Sequence, residues 1–104
     1  MSNFKNVNVE KTANIYFDGK VISRNISFND GSIKTLGVML PGEYEFNTSS
    51  KEIMDIISGN LSYQLSGQSE WTNISSSMSF NVPKGTSFKV KVLDIVNYCC
   101  SYID

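Results

Sequence analysis

The sequence predicts a single all-β domain with little or no helix, and three observations support this fold class. The chain has 104 residues, a length that suits one core rather than two domains. Apolar residues alternate with polar ones along several short segments, which is the period of a strand with one buried face. Turn-forming pairs such as Asp18-Gly19 and Pro41-Gly42 interrupt these segments about every 8 to 12 residues, as is typical of a β-sandwich or β-barrel.

The individual strands follow from the positions of the turns. We predict a hairpin at Asp18-Gly19 and further turns at Asn29-Asp30-Gly31, Ser58-Gly59-Asn60 and Pro83-Lys84-Gly85. Residues 1–13 are predicted to form an N-terminal extension and residues 14–104 the barrel domain. The segments predicted as strands are NIYF, KVISRNISF, SIKTLGVML, EYEFNT, EIMDII, LSYQL, EWTNI, FNV, SFKVKVL and VNYCCSYI.

One segment allows a second interpretation. Ser49 and Glu52 have the spacing of a capping box, which would open a short helix. However, Gly59 would end that helix after about two turns, and the isoleucines that follow Glu52 favour a strand. We therefore predict a strand, with at most one helical turn at Ser49 to Lys51.

Composition excludes several classes of partner. Nine basic and ten acidic residues give a net charge of −1 without a basic block, so the chain lacks the positive patch of a nucleic-acid-binding protein. No apolar run is long enough for a signal peptide or a transmembrane helix. These features indicate a cytoplasmic protein that binds neither nucleic acid nor membrane.

The two cysteines are adjacent, at Cys99 and Cys100. Neighbouring side chains of a strand point to opposite faces, so these thiols are poorly placed to form a disulfide. Two cysteines without any histidine also make a poor zinc site. We predict that Cys100 is a small buried apolar residue of a reduced protein.

Two stretches, PGEYEFNTSSKEIMDIISG at 41–59 and SMSFNVPKGTSF at 77–88, resemble the two motifs of the cupin family, which are small β-barrels of the double-stranded β-helix or jelly-roll type. Glu52 falls at the glutamate of the first motif, and Gly59 falls at its closing glycine. The motif positions that carry metal-binding histidines in cupins are occupied here by Phe46, Thr48 and Phe88. Because Glu52 alone cannot hold a transition metal tightly, we expect a cupin-type barrel without a metal or other cofactor.

A narrower resemblance rests on YFDGKV, GVMLPGEYEF, EIMDIISG, FNVPKGTSF, YCCSY and Trp71. On these segments the chain is similar to the small pyrimidine/purine nucleoside phosphorylases, a cupin subfamily formerly known only as a domain of unknown function. The resemblance implies reversible phosphorolysis of many purine and pyrimidine nucleosides, which yields free base and ribose 1-phosphate. Inorganic phosphate would be the co-substrate, and no metal is implied.

Alternation indicates which side chains reach the barrel interior. If the motif positions Phe46 and Thr48 point inward, Tyr44 does so too. By the same rule Glu52 shares the inner face of its strand with Met54 and Ile56. The inner face of the last strand is assigned to Tyr98, Cys100 and Tyr102, and a weakly polar, aromatic cavity of this kind suits a broad range of bases.

From these positions we predict the roles of the candidate site residues. Glu52 and Tyr44 are predicted to be catalytic, and substrate binding is assigned to Thr48, Tyr98 and Tyr102. The cations nearest the first turn, Lys20 and Arg24, are predicted to bind phosphate. Competing interpretations are that the tyrosines are core residues, that Lys20 and Arg24 belong to a solvated face, and that Lys84 binds the phosphate instead.

Three hypotheses about function remain open at this level. The first is the metal-free nucleoside phosphorylase. The second is a non-catalytic cupin module that binds a nucleoside or sugar, and the third is a structural dimerisation barrel. In each case we predict a homodimer, because a short β-sheet protein gains by covering its exposed strand edges.

Overall fold

A computed structural model describes residues 2–103 of the chain, and it confirms the all-β prediction. Within these residues the only helical element is a short 3-10 turn at Phe17–Gly19. The strand predicted around Glu52 is confirmed, and no helical turn forms at Ser49 to Lys51. The strands are β1 (Asn8–Val9), β2 (Asn14–Tyr16), β3 (Val21–Ser27), β4 (Ile33–Met39), β5 (Gly42–Asn47), β6 (Lys51–Leu65), β7 (Thr72–Ser75), β8 (Met78–Val82) and β9 (Ser87–Ile103).

Two long strands, β6 and β9, pair with each other along most of their length and organise the fold. The first half of β6 and the second half of β9 lie in one layer. In this layer β4 pairs with β9, β8 pairs with β6, and β3 pairs with β4. The other halves of β6 and β9 lie in a second layer with β5 and β7. The layers face each other. The contact between them includes the Phe80 ring of the first layer, which stacks on Tyr63 of the second at 3.9 Å between centroids.

The bend between the layers lies at Gly59. We predicted a turn at Ser58-Gly59-Asn60, and this prediction is wrong, because β6 continues through these residues with bulges in its pairing to β9. Gly59 has a φ of 98° and passes so close to β9 that an added Cβ would overlap the carbonyl oxygen of Ile95. Only glycine fits such a position without strain. The segments SFKVKVL and VNYCCSYI likewise form one continuous strand rather than two.

The interior is built by the alternation that the sequence shows. Tyr44, Met54 and Ile56 are buried, and so are Phe88 and Val90. The lysine between these last two, Lys89, is exposed. Burial of this apolar face provides the main driving force for folding.

The sheet does not close into a complete barrel among the described residues. β5 pairs only with β9, and β2 pairs only with β3. An opening therefore remains between the free edge of β5 and the region of β2 and the Phe17–Gly19 turn. The fold is cupin-like, with one open side.

The segment before residue 14 extends the edge of this sheet. β1 pairs with the end of β3, and the Phe4 ring meets that of Phe28 edge-on at 5.0 Å between centroids. The predicted boundary between an extension (1–13) and a barrel domain (14–104) stays a prediction, and its outermost residues, Met1 and Asp104, lie outside the described residues.

Candidate functional site

A cavity of about 550 Å³ lies at the open side of the sheet. Its floor is formed by β6 and β9, and its mouth lies between β5 and the Phe17–Gly19 turn. The volume falls in the range of pockets that hold small organic molecules. The lining residues are Tyr16, Phe17, Ser23, Met39, Glu45, Phe46, Asn47, Ser49, Glu52, Met54, Phe88, Tyr98, Cys100 and Tyr102.

Glu52 lies on the inner face of β6, where it is half-buried. The Cys100 thiol of β9 donates a hydrogen bond to Oε1 of Glu52 over 3.4 Å. Burial raises the pKa of Glu52, and the bond from Cys100 opposes this rise in part. A glutamate in such surroundings exchanges protons at a higher pH than an exposed one, which is a common property of functional carboxyls.

Tyr102 lies directly opposite Glu52 across the β6–β9 pair. Its hydroxyl is 3.2 Å from Oγ1 of Thr35 on β4, and it also interacts with Cys100. Burial raises the pKa of Tyr102 well above its usual value. The phenol therefore stays protonated and able to donate a hydrogen bond. Thr35, Tyr102, Cys100 and Glu52 form one polar chain across three strands.

Tyr98 lies on the inner face of β9, two residues before Cys100. Its ring lies over Gly37, its cross-strand neighbour, and an added Cβ on Gly37 would stand 2.7 Å from the Tyr98 hydroxyl oxygen. Burial raises the pKa of Tyr98 to about 12, and the Ser23 hydroxyl bonds to it. Ser23 also accepts a bond from the Asn14 amide at 3.2 Å, so Asn14, Ser23 and Tyr98 form a chain of hydrogen bonds across β2, β3 and β9.

Aromatic rings border the mouth of the cavity. Phe17 and the next residue, Asp18, have φ values of 52° and 56°, a left-handed conformation that is rare for a bulky residue. This strained turn directs the Phe17 ring across the opening, where it meets Phe46 edge-on at 5.6 Å and Tyr44 at 4.9 Å between centroids. Phe17 is nevertheless 42% exposed, and it lines the cavity.

The structure does not bring all predicted site residues to this cavity. Tyr44 and Thr48 point inward as predicted, but their hydroxyls are occupied by the main chain. The Tyr44 hydroxyl donates to the carbonyl of Leu40 at 2.6 Å. The Thr48 hydroxyl donates to the carbonyl of Pro83 at 2.7 Å and accepts a bond from the amide of Thr86 at 3.1 Å. Neither residue lines the cavity.

The cations predicted to bind phosphate also lie elsewhere. Arg24 is exposed on the face of β3 opposite to the buried Ser23 that lines the cavity. Lys20 is exposed just after the Phe17–Gly19 turn. Neither belongs to the lining, and neither does Lys84.

Several lining residues were not predicted from the sequence. Cys100 was assigned only to packing, although its burial was predicted correctly. Ser23, Asn47 and Ser49 were not among the predicted site residues. Phe17 belongs to a segment that carried the family resemblance, and this was the one available signal for it.

Metal-ligating residues are not grouped in the described part of the chain. Among residues 2–103, no set of three or more histidine, cysteine, aspartate or glutamate side chains could hold a metal ion. The carboxyl group of Glu52 bonds to the Cys100 thiol, and three tyrosines and three phenylalanines line the same cavity. Such a set is a poor site for the ions that cupins bind through imidazoles.

Fold and site together define a small, histidine-free protein of the cupin class, with a mixed polar and aromatic cavity. The family model described as pyrimidine/purine nucleoside phosphorylase matches residues 11–102. The chain is 53% identical over 103 residues to the pyrimidine/purine nucleoside phosphorylase of Colwellia psychrerythraea (strain 34H), with 99% of each chain covered. Identity to the protein of that name from Chlorobium chlorochromatii (strain CaD3) is 57%, again with 99% coverage of both. The chain belongs to the pyrimidine/purine nucleoside phosphorylase family, as its motifs predicted.

Solved structures support the same conclusion about fold. A crystal structure of a DUF1255 protein of unknown function from Acinetobacter sp. ADP1 superimposes with a TM-score of 0.95 at 36% identity, covering 97% of this chain and 98% of that one. The cupin domain of Schizosaccharomyces pombe Cnp3 superimposes with a TM-score of 0.65 at 14% identity, over 81% of this chain and 61% of that one. The second likeness shows the cupin-type fold alone.

Within residues 2–103, no helix has the length and apolar character needed to cross a bilayer.

Proposed function

We propose that the chain is a nucleoside phosphorylase of broad specificity, which converts purine and pyrimidine nucleosides and phosphate into free base and α-D-ribose 1-phosphate, reversibly. The observation that carries this proposal is the convergence of Glu52, Tyr98 and Tyr102 on one cavity. Relatives that match the whole chain bear the name of this activity. The enzyme is thus proposed to be a pentosyltransferase.

The reaction needs no covalent nucleophile from the protein. A phosphate oxygen bonds to the anomeric carbon of the ribose while the bond from that carbon to the base breaks. The electron pair of the broken bond leaves with the base, which takes up a proton. Positive charge develops on the ribose ring as the bond to the base breaks. Groups that oppose this charge and hold the reactants in line therefore lower the barrier.

Glu52 is suited to the ribose. Its carboxylate accepts hydrogen bonds from ribose hydroxyls and opposes the positive charge that develops on the ring. The Cys100 thiol holds one of its oxygens at 3.4 Å, so the carboxylate is positioned before the substrate enters. An interaction that strengthens in the transition state raises turnover rather than affinity alone.

The base is proposed to contact the tyrosine hydroxyls and the aromatic mouth. Tyr98 and Tyr102 stay protonated, because burial raises the pKa of both phenols, and a phenol that donates to the departing base stabilises its negative charge. Phe17 is partly exposed and lines the cavity, so its ring is proposed as the surface on which the base stacks. Stacking with few hydrogen bonds to the base edge favours broad specificity.

The proposed mechanism uses no metal or other cofactor, and nucleosides and phosphate are the proposed small-molecule partners. Support comes from the donor set around Glu52, which suits hydrogen bonding better than metal coordination. We also propose that the protein acts in the cytoplasm, without a nucleic-acid or membrane partner. The balanced charge of the sequence, with no basic block, supports the absence of a nucleic-acid partner.

The assembly we propose is a homodimer, formed through the outer face of the first layer. Exposed apolar side chains cross this face from strand to strand, since Ile15 pairs with Ile22 and Ile22 with Val38. An apolar row of this kind is a common feature of protein interfaces. Sedimentation at micromolar concentration should give about twice the chain mass of 11.6 kDa, and Ile22→Lys should reduce it to the monomer. A wild-type mass near that of one chain would contradict the dimer.

A non-catalytic module that binds nucleosides is the second candidate, because the same cavity would hold a nucleoside whether or not phosphate attacks it. The two are separated by incubating the pure protein with uridine or adenosine, with and without phosphate. The enzyme releases free base only when phosphate is present. A module that only binds is stabilised against thermal unfolding by the nucleoside and releases no base in either case.

A further inference from the structure

Among the described residues, no cation that could hold the co-substrate lines the cavity. Its lining has two carboxylates, Glu45 and Glu52, and no lysine or arginine from residues 2–103. Phosphate carries negative charge at neutral pH, so it must be held there by neutral hydrogen-bond donors or by a residue from outside the cavity. Lys20 and Arg24, the cations predicted from the sequence, are exposed elsewhere.

Neutral donors converge on the bend that joins β5 to β6. Asn47 and Ser49 line the cavity, whereas Thr48 between them turns into the protein. The hydroxyl of Thr48 is fixed to Pro83 and Thr86 by hydrogen bonds of 2.7 and 3.1 Å. The bend is thereby held in place, and its cavity-lining residues Ser49 and Asn47 come three and five residues before Glu52 in the chain.

The main chain of β5 adds donors at the same place. β5 pairs with β9 on one side only, and the amide of Thr48 bonds to the carbonyl of Thr86 at 2.8 Å. Successive residues of an antiparallel strand direct their main-chain N–H groups alternately to one side of the strand and to the other. The bond made by Thr48 therefore shows which N–H groups of β5 face β9 and which face away from it. The N–H groups of Glu45 and Asn47 therefore point to the free edge, where the cavity lies. Such an edge can serve as an anion-binding surface.

We propose that the bend Asn47–Ser49 and the adjoining free edge of β5 form the phosphate subsite of this cavity. The phosphate oxygens accept hydrogen bonds from the Asn47 side-chain amide, the Ser49 hydroxyl and the main-chain amides of the edge. Thr48 is a positioning residue that fixes the bend. This inference rests on the proposed function, because it names the subsite for the co-substrate of that reaction.

Two properties follow from a site without cations. Binding is weak, because neutral donors next to carboxylates attract an anion less than lysine or arginine does. It also responds to salt in an unusual direction. Screening weakens the attraction of a cationic site, so the KM for phosphate would rise with salt in that case. At the proposed site screening weakens only the repulsion from Glu45 and Glu52, so this KM should stay constant or fall.

The test uses the full chain and inorganic phosphate, with two readouts. Asn47→Ala and Ser49→Ala should each raise the KM for phosphate about tenfold, as expected for a lost hydrogen bond to a charged group, and should change the KM for uridine much less. Ser49→Thr keeps the hydroxyl and should restore most of the loss. Matched controls are Asn81→Ala and Ser79→Ala on the exposed side of β8, which should change neither KM. The second readout is the rise in melting temperature on adding phosphate, which should be lost in the Asn47→Ala, Ser49→Ala double variant.

The outcomes separate this inference from the proposed function. In one outcome, phosphate stabilises the wild type but not the double variant, and no nucleoside releases its base. This outcome would overturn the proposed phosphorylase activity and leave the anion site standing. Base release by the wild type with an unchanged phosphate KM in both single variants would overturn the subsite alone. The subsite would also be overturned if the KM for phosphate rises as salt is increased from about 0.05 to about 0.5 M. A higher KM for phosphate in Lys20→Ala or Arg24→Ala would have the same consequence.

Discussion

The Cys100 thiol lies 3.4 Å from Oε1 of Glu52 and donates a hydrogen bond to it. This contact joins two long strands across the floor of the cavity, since Glu52 belongs to β6 and Cys100 to β9. A thiol is a weak donor, but its bond to an ionised carboxylate favours the ionised form. Cys100 therefore influences the pH at which Glu52 becomes charged.

We expect this influence to appear in the pH dependence of turnover. If ionised Glu52 is needed, kcat falls as the pH drops through the pKa of Glu52, which burial raises above its usual value. Cys100→Ala removes the bond that lowers this pKa, so the acid limb of the kcat profile should move to higher pH. Cys100→Ser keeps a donor and should leave the limb near or below its wild-type position. Identical acid limbs in the alanine variant and the wild type would disconnect Cys100 from catalysis.

Glu52→Gln should slow turnover on uridine and adenosine alike, because the ribose is common to both. A hydrogen bond to a charged group contributes about 1.5–3 kcal/mol, so turnover should fall roughly tenfold to a hundredfold if the bond is made mainly in the transition state. Steady-state kinetics at saturating phosphate measure this, with circular dichroism as the control for folding. Full activity on both nucleosides would remove Glu52 from the site.

Tyr98→Phe and Tyr102→Phe should change the preference between bases rather than turnover on all of them. Each loses one hydroxyl that faces the cavity, and purines and pyrimidines present different acceptors to it. The ratio of kcat/KM for uridine to that for adenosine should shift several-fold, up to roughly tenfold, for at least one variant. Equal losses on both nucleosides in both variants would place the hydroxyls on the ribose or the phosphate instead.

Gly37→Ala should destabilise the protein and disturb Tyr98 at the same time. The new Cβ would lie 2.6 Å from the carbonyl oxygen of Ile22 and 2.7 Å from the Tyr98 ring. Overpacking of this kind costs about 1–3 kcal/mol, and turnover should fall as the ring moves. Gly67→Ala is the control, because Gly67 has a positive φ, at which alanine is strained, but no atom near the added Cβ. It should lower stability without lowering turnover, and an equal loss of turnover in both variants would contradict a role for Gly37 in placing Tyr98.

The fold was predictable to a large extent because strand alternation and turn residues are local signals. These local signals failed where the course of a strand depends on the strand with which it pairs. Gly59 looks like a turn residue in the sequence, but it lies in a bulge of β6 that lets β9 pass closely. No local pattern distinguishes these two uses of a glycine.

The site was predictable only as far as alternation determines which way a side chain points. It placed Glu52, Tyr98 and Tyr102 on inner faces, and these three line the cavity. It also turned Tyr44 and Thr48 inward, but it could not show that main-chain carbonyls hold their hydroxyls. Such bonds depend on how distant segments meet.

The role proposed for Cys100 and the positions of the cations illustrate the same limit. Cys100 contacts Glu52 only through the register of β6 against β9, and a thiol in an apolar strand looks like a packing residue. Lys20 and Arg24 are the cations closest to the cavity-lining turn in the sequence. Proximity in sequence did not bring them into the lining, because Arg24 alternates to the outer face.

The most direct test of the central claim is to follow phosphorus during the reaction. Purified protein is incubated with uridine and inorganic phosphate, and 31P nuclear magnetic resonance is recorded while released uracil is measured in the same sample. The account predicts that a sugar-phosphate resonance of ribose 1-phosphate grows in step with uracil, one for one, and that adenosine gives the same ester with adenine. Uracil without the ester would indicate hydrolysis, and no conversion of either nucleoside would indicate a binding module. Either result would contradict the assignment of this chain as a nucleoside phosphorylase.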